Sequence, residues 1–487
     1  MGIRNLLKKT ETLPYLFFII NIAFKLVFIN AQDICIDEPF TIYHAQFGIG
    51  DIITFLKPTN NPPLYEIILH FWIKVFGISA FSVRFLPVVF ASATVIFIYK
   101  ITRVLFNKQS AVTAACVFTF SNYVIYYSHD SRAYPLFLLL ATASFYYFIK
   151  LLREWDGAGN KFWFFFINVL MIYTHYFGFI VWFVQAVYLL IYHKETIKSF
   201  FVHYAILLIF FLPQMLVFFQ RATESAVNGT WITNTVNAES LYNKIVLFSN
   251  MPMVAVICLV FILFYLIKKV FVKSKLPVNE FELKNEILIL IWFFVPLLMM
   301  FAVSLKLPVF LDRYFIFISP AFYIMLGFIV NNLFKNKHIE FYVSTALILV
   351  FALTLNLNPD KKRDVQGVVE YVKSNKGKTT IVIVCAHDFI NNFTYYFDKK
   401  IFTGVAKGNE YHKMTNELNL QYVFPVRSID EVPQGVLNIA QKVIYVDAAA
   451  DFSNPGNRIY ETLKGTLVEK NKKQFRDIFT VYEFKKN

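Results

Sequence analysis

Eleven apolar runs, each long enough to span about 30 Å of hydrocarbon, dominate this 487-residue chain. They lie near 13–30, 84–102, 110–127, 134–152, 162–175, 177–192, 200–218, 245–267, 286–304, 315–333 and 339–357. With 57% hydrophobic and only 16% charged residues, the chain departs from the soluble balance of about a quarter charged. It reads as an α-helical polytopic membrane protein. The first run follows a basic start (Arg4, Lys8, Lys9) and lacks a small-residue cleavage site. It is therefore expected to stay as a membrane helix and not to be removed as a signal peptide.

Residues 62–77, "PPLYEIILHFWIKVFG", are apolar enough to make a twelfth span. However, Glu66, His70 and Lys74 recur every four positions and share one helical face, the pattern of an amphipathic helix lying on a membrane surface. Counting it as a span would also reverse every later loop. Without it, Lys100/Arg103/Lys108, Lys150/Arg153/Lys161, Lys194/Lys198, Lys268 through Lys284 and Lys335/Lys337 fall on the side of the basic N-terminus. The opposite loops hold only Lys57, Lys74, Arg84, Arg132, Arg221, Lys306 and Arg313. Positive residues concentrate in cytoplasmic loops, so the N-terminus is expected inside and the C-terminus outside. This asymmetry also accounts for the net charge of +15, and no basic stripe on a soluble fold points to nucleic acid.

Residues 1–357 then form a membrane domain with a long first outer loop, 31–83, carrying the amphipathic helix at 64–77. From 358 to 487 the composition is that of a soluble α/β domain, placed outside the membrane. Val365, Val368, Val369 and Val372 have helical spacing, and "TTIVIVCA", "KVIYVDAA" and "FTVYEF" read as strands. Four cysteines show neither metal spacing nor a disulfide framework. Asn228 and Asn392 head N-x-T sequons, which matter only in a glycosylating compartment.

The distinctive polar residues gather at the outer helix ends. Asp33, Asp37, Glu38 and His44 lie in loop one, His129, Asp130 and Arg132 in "YYSHDSRAY", His175 in "YTHYFG", and Asp312 and Arg313 in "LDRYFIFISPA". Charges at helix ends also snorkel, and tyrosines there form the ordinary aromatic belt. Asp312 is expected to pair locally with Arg313. The three loop-one carboxylates are harder to dismiss. Crowded beside a low-dielectric phase, they raise one another's pKa unless a cation, a metal or a reaction uses them.

Taken in order, these pieces resemble the GT-C superfamily of polyprenyl-phosphate-sugar glycosyltransferases, close to glycosyltransferase family 39. That family includes protein O-mannosyltransferases and lipid A aminoarabinose transferases. The resemblance rests on Asp37-Glu38, "NPPLYEIILHFWIKVFG", "VRFLPVVFASATVIFIYKITRVLF", "YYSHDSRAYPLFLLLA", "YTHYFGFIV" and "DRYFIFISPAFY", and spans about residues 30–330. In two places this chain departs from the pattern. Asn61 stands where relatives commonly have His before Pro-Pro-Leu-Tyr, which weakens a metal-ligand role there. His129-Asp130-Ser131-Arg132 replaces Tyr-Ser-Gln-Glu-x-Arg, keeping the acid and the arginine but shortening the acid by one methylene.

The resemblance implies an integral-membrane enzyme moving a sugar from a polyprenyl-phosphate donor to an acceptor hydroxyl on a glycan, lipid or protein, at the outer face of a bacterial plasma membrane. Polyprenyl phosphate leaves as an anion, so the minimum machinery is one base and positive charge at the phosphate. Asp37 is the expected base, with Glu38 tuning or orienting it. Arg132 and Arg313 are the expected phosphate ligands. His129, Asp130, Tyr134, His175, Asn61 and Tyr65 are assigned to the acceptor or to orienting the groups that touch it. The resemblance fixes no cofactor, and the oxygen and nitrogen side chains permit a divalent metal that their spacing does not demand. The competing class is a transporter or lipid flippase. Its ionisable groups belong near the bilayer midplane, on broken helices in repeated halves, and no repeat is visible.

Overall fold

The computed structural model describes residues 12–486 apart from 60, 156, 230–234, 272–279, 335, 386–388, 405–409, 453, 455 and 477. The basic start at Arg4, Lys8 and Lys9, and Lys335, lie outside the described residues. The chain forms two compact units. The first comprises Met1–Ile29, Ile52–Ile68 and Arg84–Pro359, and the second Asn30–Asp51, Leu69–Val83 and Asp360–Asn487.

The first unit is helical. Among the described residues six helices are long and apolar enough to cross a membrane: Ala80–Leu105, Tyr134–Arg153, Ile197–Asn228, Pro252–Lys269, Leu283–Ser304 and Asp312–Val330. Leu13–Leu26 and Gly178–Tyr192 are shorter apolar helices. Every apolar run of the sequence coincides with helix, but several are interrupted.

Run 110–127 divides into Lys108–Thr119, capped by the Asn107 side chain, and Asn122–Ser128, capped by Ser121. Run 245–267 divides at Ser249–Met251 between helices Ala238–Phe248 and Pro252–Phe271. The two breaks satisfy each other. Asn250, with φ of 68°, accepts the Asn122 N–H at 2.8 Å and donates to the Phe120 carbonyl at 2.8 Å and the Thr354 hydroxyl at 3.2 Å. Backbone groups have no water to turn to in an apolar phase, so one asparagine side chain makes both interruptions tolerable.

Close packing closes this unit. The Phe145 and Trp292 rings stack with centroids 3.8 Å apart, and the Trp292 indole donates to the Phe317 carbonyl at 3.1 Å. Helix Ser319–Val330 approaches Lys108–Thr119 at Gly327, where a Cβ would sit 2.6 Å from the Ser110 carbonyl oxygen and 2.9 Å from the Ala114 Cβ. Small residues on facing helices permit that approach.

The second unit contains a five-stranded sheet in the order β2-β1-β3-β5-β4. Its strands are β1 Thr380–Cys385, β2 Val423–Pro425, β3 Lys442–Ala448, β4 Val468–Phe475 and β5 Phe479–Lys485. β1 pairs parallel with β2 and β3, while β5 runs antiparallel to β3 and β4. β1 is buried along its whole length, as an unbroken apolar run in parallel pairing requires. The β1, β3 and β5 segments are the three strands legible in the sequence. β2 has three residues, and β4 is a mostly exposed, lysine-rich edge strand, a composition that discourages edge pairing with other chains. Val365, Val368, Val369 and Val372 are all buried on helix Val365–Asn375.

The connection 30–51 is held in this second unit by many hydrogen bonds. The Tyr396 hydroxyl accepts the Ile34 N–H at 2.7 Å, and the Asn392 amide donates to the Ile36 carbonyl at 3.1 Å. Asn392, head of one sequon, is therefore buried and committed to the fold.

Candidate active site

In the first unit the turn 129–132 lies between helices Asn122–Ser128 and Tyr134–Arg153. His129, buried, has its Nε2 at 2.6 Å from the Lys25 carbonyl oxygen, which ties the turn to the end of helix Leu13–Leu26. The Asp130 carbonyl accepts the Arg132 N–H at 2.7 Å. The hydroxyls of Ser131 and the fully buried Tyr65 are 3.2 Å apart. Arg132 comes next, 8% exposed.

Arg313 arrives on the 3-10 segment Asp312–Ile318. Its guanidinium lies 5.8 Å from the ring centroids of both Tyr134 and Tyr314, within cation–π reach. The expected Asp312–Arg313 pair does not form this way. Asp312 is taken by Lys244, and its carbonyl accepts the Tyr123 hydroxyl at 2.7 Å. Neighbours in sequence point apart on a tight helical turn, and Lys244 reaches Asp312 from helix Ala238–Phe248.

His175 ends helix Ala158–Thr174. It is buried, stacked on Phe137 at 4.8 Å, with Tyr134 and Tyr314 at about the same distance on other sides, 6.0 and 5.9 Å. Both Arg132 and Arg313 act electrostatically on its ring. Its Nδ1 accepts the Phe177 N–H at 3.1 Å, so in the neutral ring the proton sits on Nε2. Arg132, Arg313, Tyr134 and His175 therefore come together, with Tyr65 held beside them through Ser131.

Glu66 is a buried acid beside the site that the sequence reading did not single out. The polar residues of helix Leu64–Phe76 divide, and Lys74 stays exposed. Glu66 and His70 are buried, and the His70 Nδ1 lies 2.9 Å from the Ala45 carbonyl. Phe71, Val75 and Phe76 are instead exposed. Burial raises the Glu66 pKa above its ordinary value, opposed by the charge of Arg132. Its Oε2 has no hydrogen-bond partner among the described residues. Asn61, half-buried, precedes the same helix.

The loop-one acids belong to the second unit. Glu38 is fully buried and paired with Lys361 at 2.8 Å. Asp33 accepts the Gln366 N–H at 2.9 Å. Each therefore has its own partner from the 361–366 segment, which explains how crowded carboxylates are tolerated there. Asp37 is half-buried at the start of helix Glu38–His44 and makes no side-chain cap. Among the described residues no three His, Cys, Asp or Glu side chains converge to hold a metal ion.

The comparisons agree with this architecture. Residues 60–217 match the family model described as dolichyl-phosphate-mannose-protein mannosyltransferase. The fold matches ArnT from Cupriavidus metallidurans, solved bound to undecaprenyl phosphate and in the apo state. Both matches have a TM-score of 0.62 and cover 96% of this chain and 97% of that one, at 11% and 12% identity. Archaeal oligosaccharyltransferase AglB from Archaeoglobus fulgidus, solved with an inhibitory peptide and a dolichol-phosphate, matches with a TM-score of 0.50. That match covers 98% of this chain and 74% of that one, at 12% identity. No curated protein matches by sequence. The chain thus shares its fold with ArnT, and its residues 60–217 are similar to the dolichyl-phosphate-mannose-protein mannosyltransferase family.

Proposed function

We propose that the chain is an integral-membrane glycosyltransferase that moves a sugar from a polyprenyl-phosphate donor to an acceptor hydroxyl at the outer face of the membrane. The observation that carries this reading is that Arg313 and His175 both meet the Tyr134 ring, at 5.8 and 6.0 Å, two residues from Arg132, in a fold shared with a protein solved bound to undecaprenyl phosphate.

Two guanidinium groups, that of Arg313 beside the Tyr134 and Tyr314 rings, suit the phosphate, because planar forks match its oxygens and retain charge at any working pH. In the proposed reaction Asp37 takes the proton from the acceptor hydroxyl. The acceptor oxygen then bonds to the anomeric carbon as the carbon–phosphate oxygen bond breaks. The electron pair leaves on polyprenyl phosphate, whose added charge Arg132 and Arg313 meet. One displacement implies inversion. Glu38, neutralised by Lys361, would hold Asp37 in place and leave the proton transfer to it. Tyr134, His175, Tyr65, Asn61, His129 and Asp130 would shape the acceptor side or orient the arginines.

The test incubates purified protein with radiolabelled polyprenyl-phosphate sugars and membrane extract, comparing the wild type with Asp37→Asn and Arg132→Ala. Transfer by the wild type, and its loss in both variants at unchanged melting temperature, is the expected result. Full turnover in both variants would overturn the residue roles. Counter-flow of lipid or sugar without transfer would favour a transporter.

A further inference from the structure

Among the described residues four acidic side chains are buried: Glu38, Glu66, Glu340 and Glu483. Three of them are answered by a lysine, Glu38 by Lys361 at 2.8 Å, Glu340 by Lys337 at 2.7 Å and Glu483 by Lys442 at 2.7 Å. Glu66 is the exception. It is 1% exposed, its carboxylate takes its own backbone N–H, and its Oε2 has no hydrogen-bond partner among the described residues. Buried polar groups are ordinarily satisfied, and a buried carboxylate pays heavily for an open oxygen. A carboxylate kept open at that cost marks a place where a donor from outside the chain binds.

The position of Glu66 says which donor. Tyr65 and Glu66 are consecutive at the start of helix Leu64–Phe76, and Ser131 and Arg132 are consecutive in the turn before Tyr134–Arg153. The Tyr65 and Ser131 hydroxyls are 3.2 Å apart, and the Arg132 charge acts on Glu66 without a hydrogen bond between them. The open oxygen is therefore a neighbour of the guanidinium assigned to the donor phosphate. That phosphate, esterified on two sides, has no proton to give and is repelled by a carboxylate. The sugar ring is joined to it through one oxygen and carries hydroxyl groups, which donate to carboxylate oxygens. The acceptor attacks from the face opposite the leaving phosphate, so a side chain on the phosphate side meets the sugar first.

We propose that Glu66 binds a hydroxyl of the donor sugar and so selects which sugar is transferred. The inference rests on the reading of Arg132 as a phosphate ligand. A site built to bond a substrate hydroxyl rejects an analogue lacking it, because the buried group is then left unpaired. Glu66 is already buried and open, so a matching hydroxyl gains its full worth there.

Full-length wild type, Glu66→Ala, Glu66→Asp, Glu66→Gln and Glu340→Gln would be titrated with bare undecaprenyl phosphate and with dolichyl-phosphate mannose, undecaprenyl-phosphate glucose and undecaprenyl-phosphate aminoarabinose. The wild type should hold at least one sugar-bearing lipid more tightly than the bare one. Glu66→Ala, and Glu66→Asp with its oxygen withdrawn by one methylene, should weaken that lipid roughly tenfold or more and leave bare undecaprenyl phosphate unchanged. Glu66→Gln keeps the reach and an acceptor oxygen and should retain most of the preference, as should Glu340→Gln. If Glu66→Ala does not fold, Glu66→Asp against Glu66→Gln decides. Equal weakening of the bare lipid would make Glu66 a positioning residue for Arg132, and loss of kcat in Glu66→Gln at unchanged donor affinity would make it a base; either overturns the proposal, as does unchanged sugar preference in Glu66→Ala and Glu66→Asp. Failure of the wild type itself to bind any of the four lipids would instead overturn the reading of the arginines, and this inference with it.

Discussion

Lys361 and Glu38 form an ion pair at 2.8 Å with both side chains shielded from solvent, joining positions 323 residues apart. The Lys361 N–H also reaches the Gln32 side-chain oxygen at 3.3 Å, and the Cys35 N–H approaches the same Glu38 oxygen at 3.4 Å. The segment leading into helix Val365–Asn375 thus holds the turn that carries Asp37.

Removing one partner leaves a buried charge unanswered. Glu38→Gln or Lys361→Met should each destabilise the protein by about 3 to 5 kcal/mol, whereas the double variant should recover much of that loss. Thermal unfolding of the three variants checks the coupling. Additive losses would show that the pair does not act as a unit.

Arg132→Ala and Arg313→Ala should each lower kcat by roughly 10²- to 10³-fold if the guanidinium groups meet charge that develops on the leaving phosphate. Lysine at either position should restore only part of the rate, since it supplies charge without the planar fork. Steady-state kinetics on a polyprenyl-phosphate sugar separates the two.

Lys244→Ala releases Asp312 from its ion pair and frees it to compete for the guanidinium of Arg313. The expected result is a raised donor KM with a smaller change in kcat, and Lys244→Arg should behave nearly as the wild type. A loss confined to kcat would argue that Lys244 does more than divert Asp312.

Glu66 titrates above the ordinary carboxylate range because burial disfavours its charged form. With a raised folded-state pKa, its contribution is most favourable below the unfolded value and is lost as pH rises through the folded one. Glu66→Gln removes that dependence. The variant should therefore gain stability relative to the wild type as pH rises from below 4.5, with the difference levelling once Glu66 is ionised. Melting temperatures of both proteins across the acid range test this, and a constant offset would sink it.

Gly327→Leu should destabilise the helical unit by about 1 to 3 kcal/mol or more, because even a Cβ there meets the Ser110 carbonyl. Gly327→Ala should show a smaller loss in the same direction.

Much of this protein was determined by residue order alone. Apolar length set the helices, and the run of Val and Ile in "TTIVIVCA" set the parallel centre of the sheet, because these signals depend on local chemistry. "YYSHDSRAY", "YTHYFG" and "LDRY" were also legible as places where polar groups collect. Partner choice was not. Whether Asp312 paired with Arg313 or Lys244, which face of Leu64–Phe76 turned inward, and what neutralised Glu38 depended on residues distant in sequence. The helix breaks near Ser121 and Asn250 were hidden for the same reason: hydropathy runs straight through them, and only the packed fold puts one asparagine side chain within reach of both.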